Sequence, residues 1–122
     1  MEKHDNKETK LIIKFIRLTI ENQIKWKVID TPNALIDGTD FKIPIFFTTT
    51  YNDKVFAVFS RRYKHYLDID EWNWAEEIKI AILENEKILW ENKEQIPAIY
   101  DLFNVIQEQV SGIDNIIDSF ID

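Results

Sequence analysis

Apolar positions near the start of the chain fall at helical spacing. Leu11, Ile12, Phe15, Ile16, Leu18 and Ile20 recur every three or four residues, which predicts an N-terminal helix ending near Asn22, with Asp5 or Thr9 as its N-cap. So wide a stripe calls either for deep packing against a sheet or for a further contact on the helix flank. Lys7, Lys10, Lys14 and Arg17 form a basic ridge beside it at the same spacing, which reads first as a solvated lysine face. From Ile24 the period changes to two. Ile24, Trp26 and Val28 alternate with polar neighbours as a short first strand, and "TPNALIDGTD" then supplies the Pro, Asn, Asp and Gly of a loop.

The strongest local pattern follows. "FKIPIFFTTTY" and "KVFAVFSRRYKHY" are rich in aromatic and β-branched residues and are separated by Asn52 and Asp53, which tolerate the positive φ of a tight hairpin turn. Pairing outward from Tyr51 with Lys54 sets Phe47 opposite Val58 and Phe46 opposite Phe59. Both faces of this hairpin are then apolar near the turn, so each needs cover. Pro44 cannot donate to a ladder and marks an edge or an irregularity. "AEEIKIAIL" and "KILWE", joined around Glu84, Asn85 and Glu86, make a further hairpin.

Helical spacing returns at Pro97, which suits a first helical turn. Ile99, Leu102, Phe103, Ile106 and Val110 form one stripe that Gly112 can end, and Ile113, Ile116, Ile117 and Phe120 form a second, shorter one. The order helix, strands, helices predicts an α+β fold: an N-terminal helix, a mostly antiparallel meander of four to five strands, and C-terminal helices packed on one face. At 122 residues and 45% hydrophobic content, one domain over 1–122 is expected, with 1–5 as a flexible tail. No apolar run approaches the roughly 20 residues that span a bilayer, and the start lacks a signal-peptide pattern, so a cytoplasmic protein without membrane contact is expected.

Charge divides the chain. Through Tyr66 there are 12 Lys/Arg against 8 Asp/Glu; from Leu67 onward there are 3 against 14, within a net charge of −7. No cation follows Lys93, while Glu94, Asp101, Glu108, Asp114, Asp118 and Asp122 do. Such asymmetry bears on partners and solubility rather than on fold. At the junction stands "RRYKHYLDIDEW". A hairpin turning around Asp68 to Glu71 would bring Arg62 opposite Glu77, with Arg61 and Lys64 diagonal to Glu76 and Glu77, as a self-neutralising strand pair. Alternation sends Arg62 and Lys64 to one face and Arg61 and His65 to the other.

The parts of common catalytic sites are missing. Asp68, Asp70 and Glu71 lack the spacing and glycine of a Ca²⁺ loop, and Ser60 and His65 have opposite parity on one strand, against a hydrolase triad. Two glycines and no cysteines leave no phosphate cradle and no thiolate chemistry. Neither metal, cofactor nor enzymatic activity is expected. The functional expectation is a protein-binding module whose acidic C-terminal half engages a basic partner through Asp101, Glu108, Asp114, Asp118 and Asp122, with Trp72 and Trp74 as aromatic anchors. In general character this is similar to a small bacterial antitoxin or immunity-type inhibitor, with a toxin or effector as partner. A homodimer that sets the acidic ridge on the basic ridge of the first helix is a further arrangement. The alternative is single-stranded nucleic-acid or nucleotide binding by Arg61, Arg62, Tyr63, Lys64 and Tyr66, where cations interleave with rings that could stack on bases. A net charge of −7 opposes it.

Overall fold

The structure is a computed structural model that describes the backbone of residues 3–121 and the side chains of residues 7–121. Helix α1 (Lys3–Ile20) precedes a five-stranded antiparallel sheet of β1 (Lys27–Val28), β2 (Lys42–Tyr51), β3 (Lys54–Asp68), β4 (Glu71–Glu84) and β5 (Lys87–Glu91), and helices α2 (Pro97–Ser111) and α3 (Ile113–Ile121) follow. Strand order in space equals strand order in sequence, so this is the α+β meander that the hydrophobic pattern predicts.

The turns follow from the residues that occupy them. Asn52 and Asp53 take φ of 51° and 65°, and Asn85 and Glu86 take 54° and 65°, giving two-residue hairpin turns whose backbone matches the right-handed twist of the flanking strands. Tyr51 pairs with Lys54, Phe47 with Val58 and Phe46 with Phe59, as the turn dictates. Pro44 lies where the β2 register slips between Lys42 and Ile45. Asn22, at φ 57°, ends α1: its N–H donates to the Thr19 carbonyl and that of Gln23 to the Leu18 carbonyl, a Schellman closure. Gly112 at φ 65° closes α2, and Pro97 opens it.

Two faces of the sheet are covered differently. On one, Ile12, Phe15 and Leu18 of α1 and Ile99, Leu102 and Ile106 of α2 bury Phe47, Phe56, Val58, Ile78 and Ile80. On the other, Leu35, from a 3-10 turn in the loop after β1, joins Phe46, Ala57, Phe59, Ala81 and Leu83. Cover on both faces is what the doubly apolar hairpin demanded. α3 meets α2 and buries none of its own residues.

Three boundaries differ from the pattern. α1 begins at Lys3, so Asp5 and Thr9 lie within it rather than capping it, because no glycine or proline interrupts the polar turn before its stripe. Of the expected tail, Met1 and Glu2 fall outside the described residues, and Lys3 to Asp5 are helical. β1 shrinks to Lys27 and Val28 because the preceding backbone is held by a side chain. Gln109 of α2 accepts from the Trp26 N–H at 2.9 Å and donates to the Ile24 carbonyl at 2.9 Å. Ile24 and Trp26 are nevertheless buried, as their alternation indicated.

Candidate functional site

The β3–β4 hairpin is longer than the sheet that supports it. β2 pairs with β3 no further than Arg62, and β5 reaches only Ala81 on β4. Beyond β5, Asn92 and Gln95 continue the ladder with side-chain amides: Asn92 Oδ1 accepts from the Ile80 N–H and Gln95 Oε1 from the Ile78 N–H, each at 2.8 Å. Past those points the strands pair only with each other, so roughly residues 63–76 form a two-stranded arm outside the core. Its side chains are open to solvent, from Tyr66, Leu67, Trp72 and Trp74 to Ile69 at the tip, which is 88% exposed.

Alternation sorts the arm into two faces. On the face shared with the helices stand Arg62, Lys64 and Tyr66 of β3 and Trp72, Trp74 and Glu76 of β4, and the slip at Pro44 brings Lys42 opposite Arg62. Trp72 and Trp74 meet edge to face, with centroids 5.3 Å apart. Lys64 Nζ lies 4.5 Å from the Trp72 ring centre and Lys42 Nζ 4.8 Å from that of Trp74, each in cation–π range. Lys42, Arg62, Trp74, Ala75 and Glu76 line a shallow cavity of about 200 Å³. The charges here are largely answered, since Arg62 pairs with Glu76 at 3.5 Å and Lys64 with Asp40 at 3.9 Å.

Arg61 and Tyr63 point the other way. Arg61 Nε donates to Glu77 at 3.0 Å, its Nη2 donates to Glu91 at 2.9 Å, and its guanidinium lies 4.5 Å from the Phe41 ring centre. Lys79, whose side chain is 7% exposed, completes a quartet by reaching Glu91 at 3.0 Å, Glu77 at 3.6 Å and the Asn92 carbonyl at 2.8 Å. Two cations and two carboxylates balance there. Burial by itself would raise the Glu91 pKa, but hydrogen bonds from Lys79 and Arg61, reinforced by their charges, outweigh it and hold the carboxyl below its ordinary value. The opposite-charge pairing across β3 and β4 is as the sequence suggested, but one residue displaced. Arg61, not Arg62, faces Glu77, because a bulge between Tyr66 and Asp68 shifts the register set at the tip.

The acidic residues gather at a different place. Asp101 and Glu108 of α2 and Asp114 and Asp118 of α3 are exposed, and none forms an ion pair among the described residues. Asp122 lies outside them. The exposed basic ridge of α1 does not answer these acids either. Glu108 and Asp114 border an open groove of about 630 Å³ whose other wall includes Lys25 and Lys27. The structure adds what charge counting missed: Ile113, Ile116, Ile117, Phe120 and Ile121 line one face of α3 and are all exposed, Phe120 at 83%. Their spacing was the signal, but spacing alone implied a buried face. Trp72 and Trp74 are remote from this end. The groove places the start of α3 beside β1, whose Lys27 pairs with Thr48 and, through it, is level with Ala57. From Ala57 to Tyr66, β3 runs about 30 Å at ~3.3 Å per residue.

Other groupings remain dispersed. Ser60 Oγ donates to Glu76 on the helix side at 2.7 Å, whereas His65 belongs to the opposite face and Asp68 accepts from the Ile69 N–H. Among the described residues no three His, Cys, Asp or Glu side chains stand close enough to hold a metal ion, and no helix is long and apolar enough to cross a membrane. Comparison with known protein families, curated proteins and solved structures returns no match in any of the three.

Proposed function

We propose that this chain is a non-enzymatic protein-binding module, of the general character of a small antitoxin or immunity-type inhibitor, that offers its acidic C-terminal helices to a basic protein. One observation carries the reading: α3 is amphipathic yet buries no residue in its own chain. A nine-residue helix is too short to be stable in water alone, and Asp114 and Asp118, four residues apart, weaken it further. Its apolar face needs cover from elsewhere, and burying each of its large side chains is worth roughly 1.5–3 kcal/mol. Unpaired carboxylates on α2 and α3 supply the charged rim around that apolar centre, and the rim favours fast association with a cationic surface.

Nucleic-acid binding by the 61–66 strand draws less support. Arg61 is committed to Glu77 and Glu91, and Tyr63 lies on the opposite face from Lys64 and Tyr66. Lysine ammonium groups already occupy a face of each tryptophan where a base would stack. Asp68, Asp70, Glu71 and Glu76 add negative charge around the arm.

The test is capture of partners from the native host by the wild-type chain and by a variant carrying Asp114→Lys and Asp118→Lys. A basic protein whose association with the wild type is rapid at low salt, and at least tenfold slower with the variant, is the expected result. Equal rates for the two chains would remove the acidic helices from the interface. Fluorescence anisotropy with an oligothymidylate probe should show no salt-sensitive binding; a signal abolished by Arg62→Ala with Lys64→Ala would reinstate the nucleic-acid reading.

A further inference from the structure

We propose that the open edge of β4 on the arm docks an extended, basic segment of another protein, which adds to the sheet as an antiparallel strand beside Trp72, Trp74 and Glu76. The site is remote from α3 and does not depend on the role given to that helix.

Register decides which backbone groups are free. Ile80 donates its N–H to Asn92 Oδ1 and accepts the Asn92 N–H at its carbonyl, while Ile78 donates its N–H to Gln95 Oε1 and accepts from Gln95 Nε2. Both residues therefore turn their peptide groups away from β3. β3 and β4 pair without a slip from Leu83 back to Trp72, so the two-residue repeat turns Glu76, Trp74 and Trp72 the same way. Among the described residues no strand or side chain takes up these three N–H and three carbonyl groups. Asn92 and Gln95 form the last two rungs, and the edge is open beyond them. The opposite edge is blunter, because Lys64 of β3 is tied to Asp40 and the register slips between Tyr66 and Asp68.

Donors and acceptors repeating at every second residue are matched by the backbone of another strand, with main-chain bonds giving affinity and alternate side chains giving selectivity. Trp72 and Trp74, 39% and 41% exposed, stand on one face and favour apolar residues opposite them. Glu71 stands on the other face, with Asp68 and Asp70 at the tip. None of these three acids is ion-paired among the described residues, whereas Glu76 and Glu77 already are. The occupant that fits is a strand alternating apolar and basic residues. A second copy does not fit. Outward residues must face outward residues and Ile78 is taken, so the fullest two-fold pairing sets Trp74 against its own copy and Glu71 opposite Glu77 twice. Residues 71–77 contain no cation to offset that like-charge contact.

Solution NMR on the whole chain tests the site, with a seven-residue peptide of alternating lysine and valine, blocked at both ends, as probe. At about 1 mM peptide, hydrogen exchange of the Trp72, Trp74 and Glu76 amides should slow at least tenfold, with no change along α3. N-methylation of the valines, whose N–H groups face β4 when their side chains lie beside the tryptophans, should abolish this protection, and N-methylation of the lysines should leave it. Trp74→Pro removes an outward N–H and no bond of the β3–β4 ladder, and should weaken peptide binding at least tenfold more than Trp74→Val does. Unchanged core resonances would verify folding; if the proline variant does not fold, the methylated peptides decide alone. No protection at the three amides, an equal effect of the two methylated peptides, or protection that grows with the concentration of the free chain overturns the proposal. A peptide that perturbs α3 alone, and no longer does so with Asp114→Lys and Asp118→Lys, overturns the edge site and leaves the α3 reading standing. Edge protection that persists in that variant supports the edge site independently of the helix.

Discussion

Arg61, Glu77, Lys79 and Glu91 show how a row of charges in sequence becomes a neutral cluster in space. Each of the two cations touches both carboxylates, and Lys79 is the most enclosed member. Lys79→Met leaves Glu77 and Glu91 with one cation between them, and should cost about 3 kcal/mol in urea denaturation, in the range for breaking a buried pair. Adding Glu91→Gln should recover part of that loss, because the remaining Arg61–Glu77 pair is balanced; a double variant worse than the single one would show that the four do not act as a unit. The pH dependence follows from the lowered Glu91 pKa. Its contribution is fully present above the unfolded glutamate value of about 4.3, and is lost as pH falls through the lower folded value. The urea midpoint should therefore drop with acidification below about pH 4, less steeply in Glu91→Gln. The sequence showed that these charges would meet across β3 and β4, since alternation and turn position suffice for that. It did not show which pairs form, because a single bulged residue near Leu67 exchanges the partners.

At the scale of elements, local chemistry was legible and cover was not. Asn52 and Asp53 define a hairpin because few other residues accept positive φ, and Pro97 and Gly112 bracket α2 for equally local reasons. The change from residues apolar on both faces to Arg61, Arg62 and Lys64 marks where cover ends along β3, but a period-two pattern does not show that β2 stops pairing there while β4 continues. Likewise the α3 stripe has the spacing of a core helix, and only the fold leaves it uncovered. β1 was overestimated because Gln109, 83 residues from Trp26 in sequence, takes the place of a strand partner. An element that buries nothing should add little to stability: Phe120→Ser should change unfolding free energy by no more than about 0.5 kcal/mol. Ile106→Ser, inside the core, should cost several times that. Loss of more than about 1 kcal/mol on Phe120→Ser would mean that α3 is packed in solution.

For the whole molecule, the division of charge along the sequence only partly survives folding. The basic half is dispersed: Arg61 enters the buried quartet, Arg62 and Lys64 meet carboxylates on the arm, and the α1 ridge faces solvent elsewhere. The acidic end stays collected, and it coincides with the exposed apolar face of α3. That coincidence, more than the net charge of −7, is the basis for a protein-binding role. The most direct test places a photo-crosslinking benzoylphenylalanine at Phe120 in the native host. A discrete adduct with a basic protein, lost when Asp114→Lys and Asp118→Lys are introduced, is the predicted result. The absence of any adduct, or one that forms equally well with both charges reversed, would contradict it.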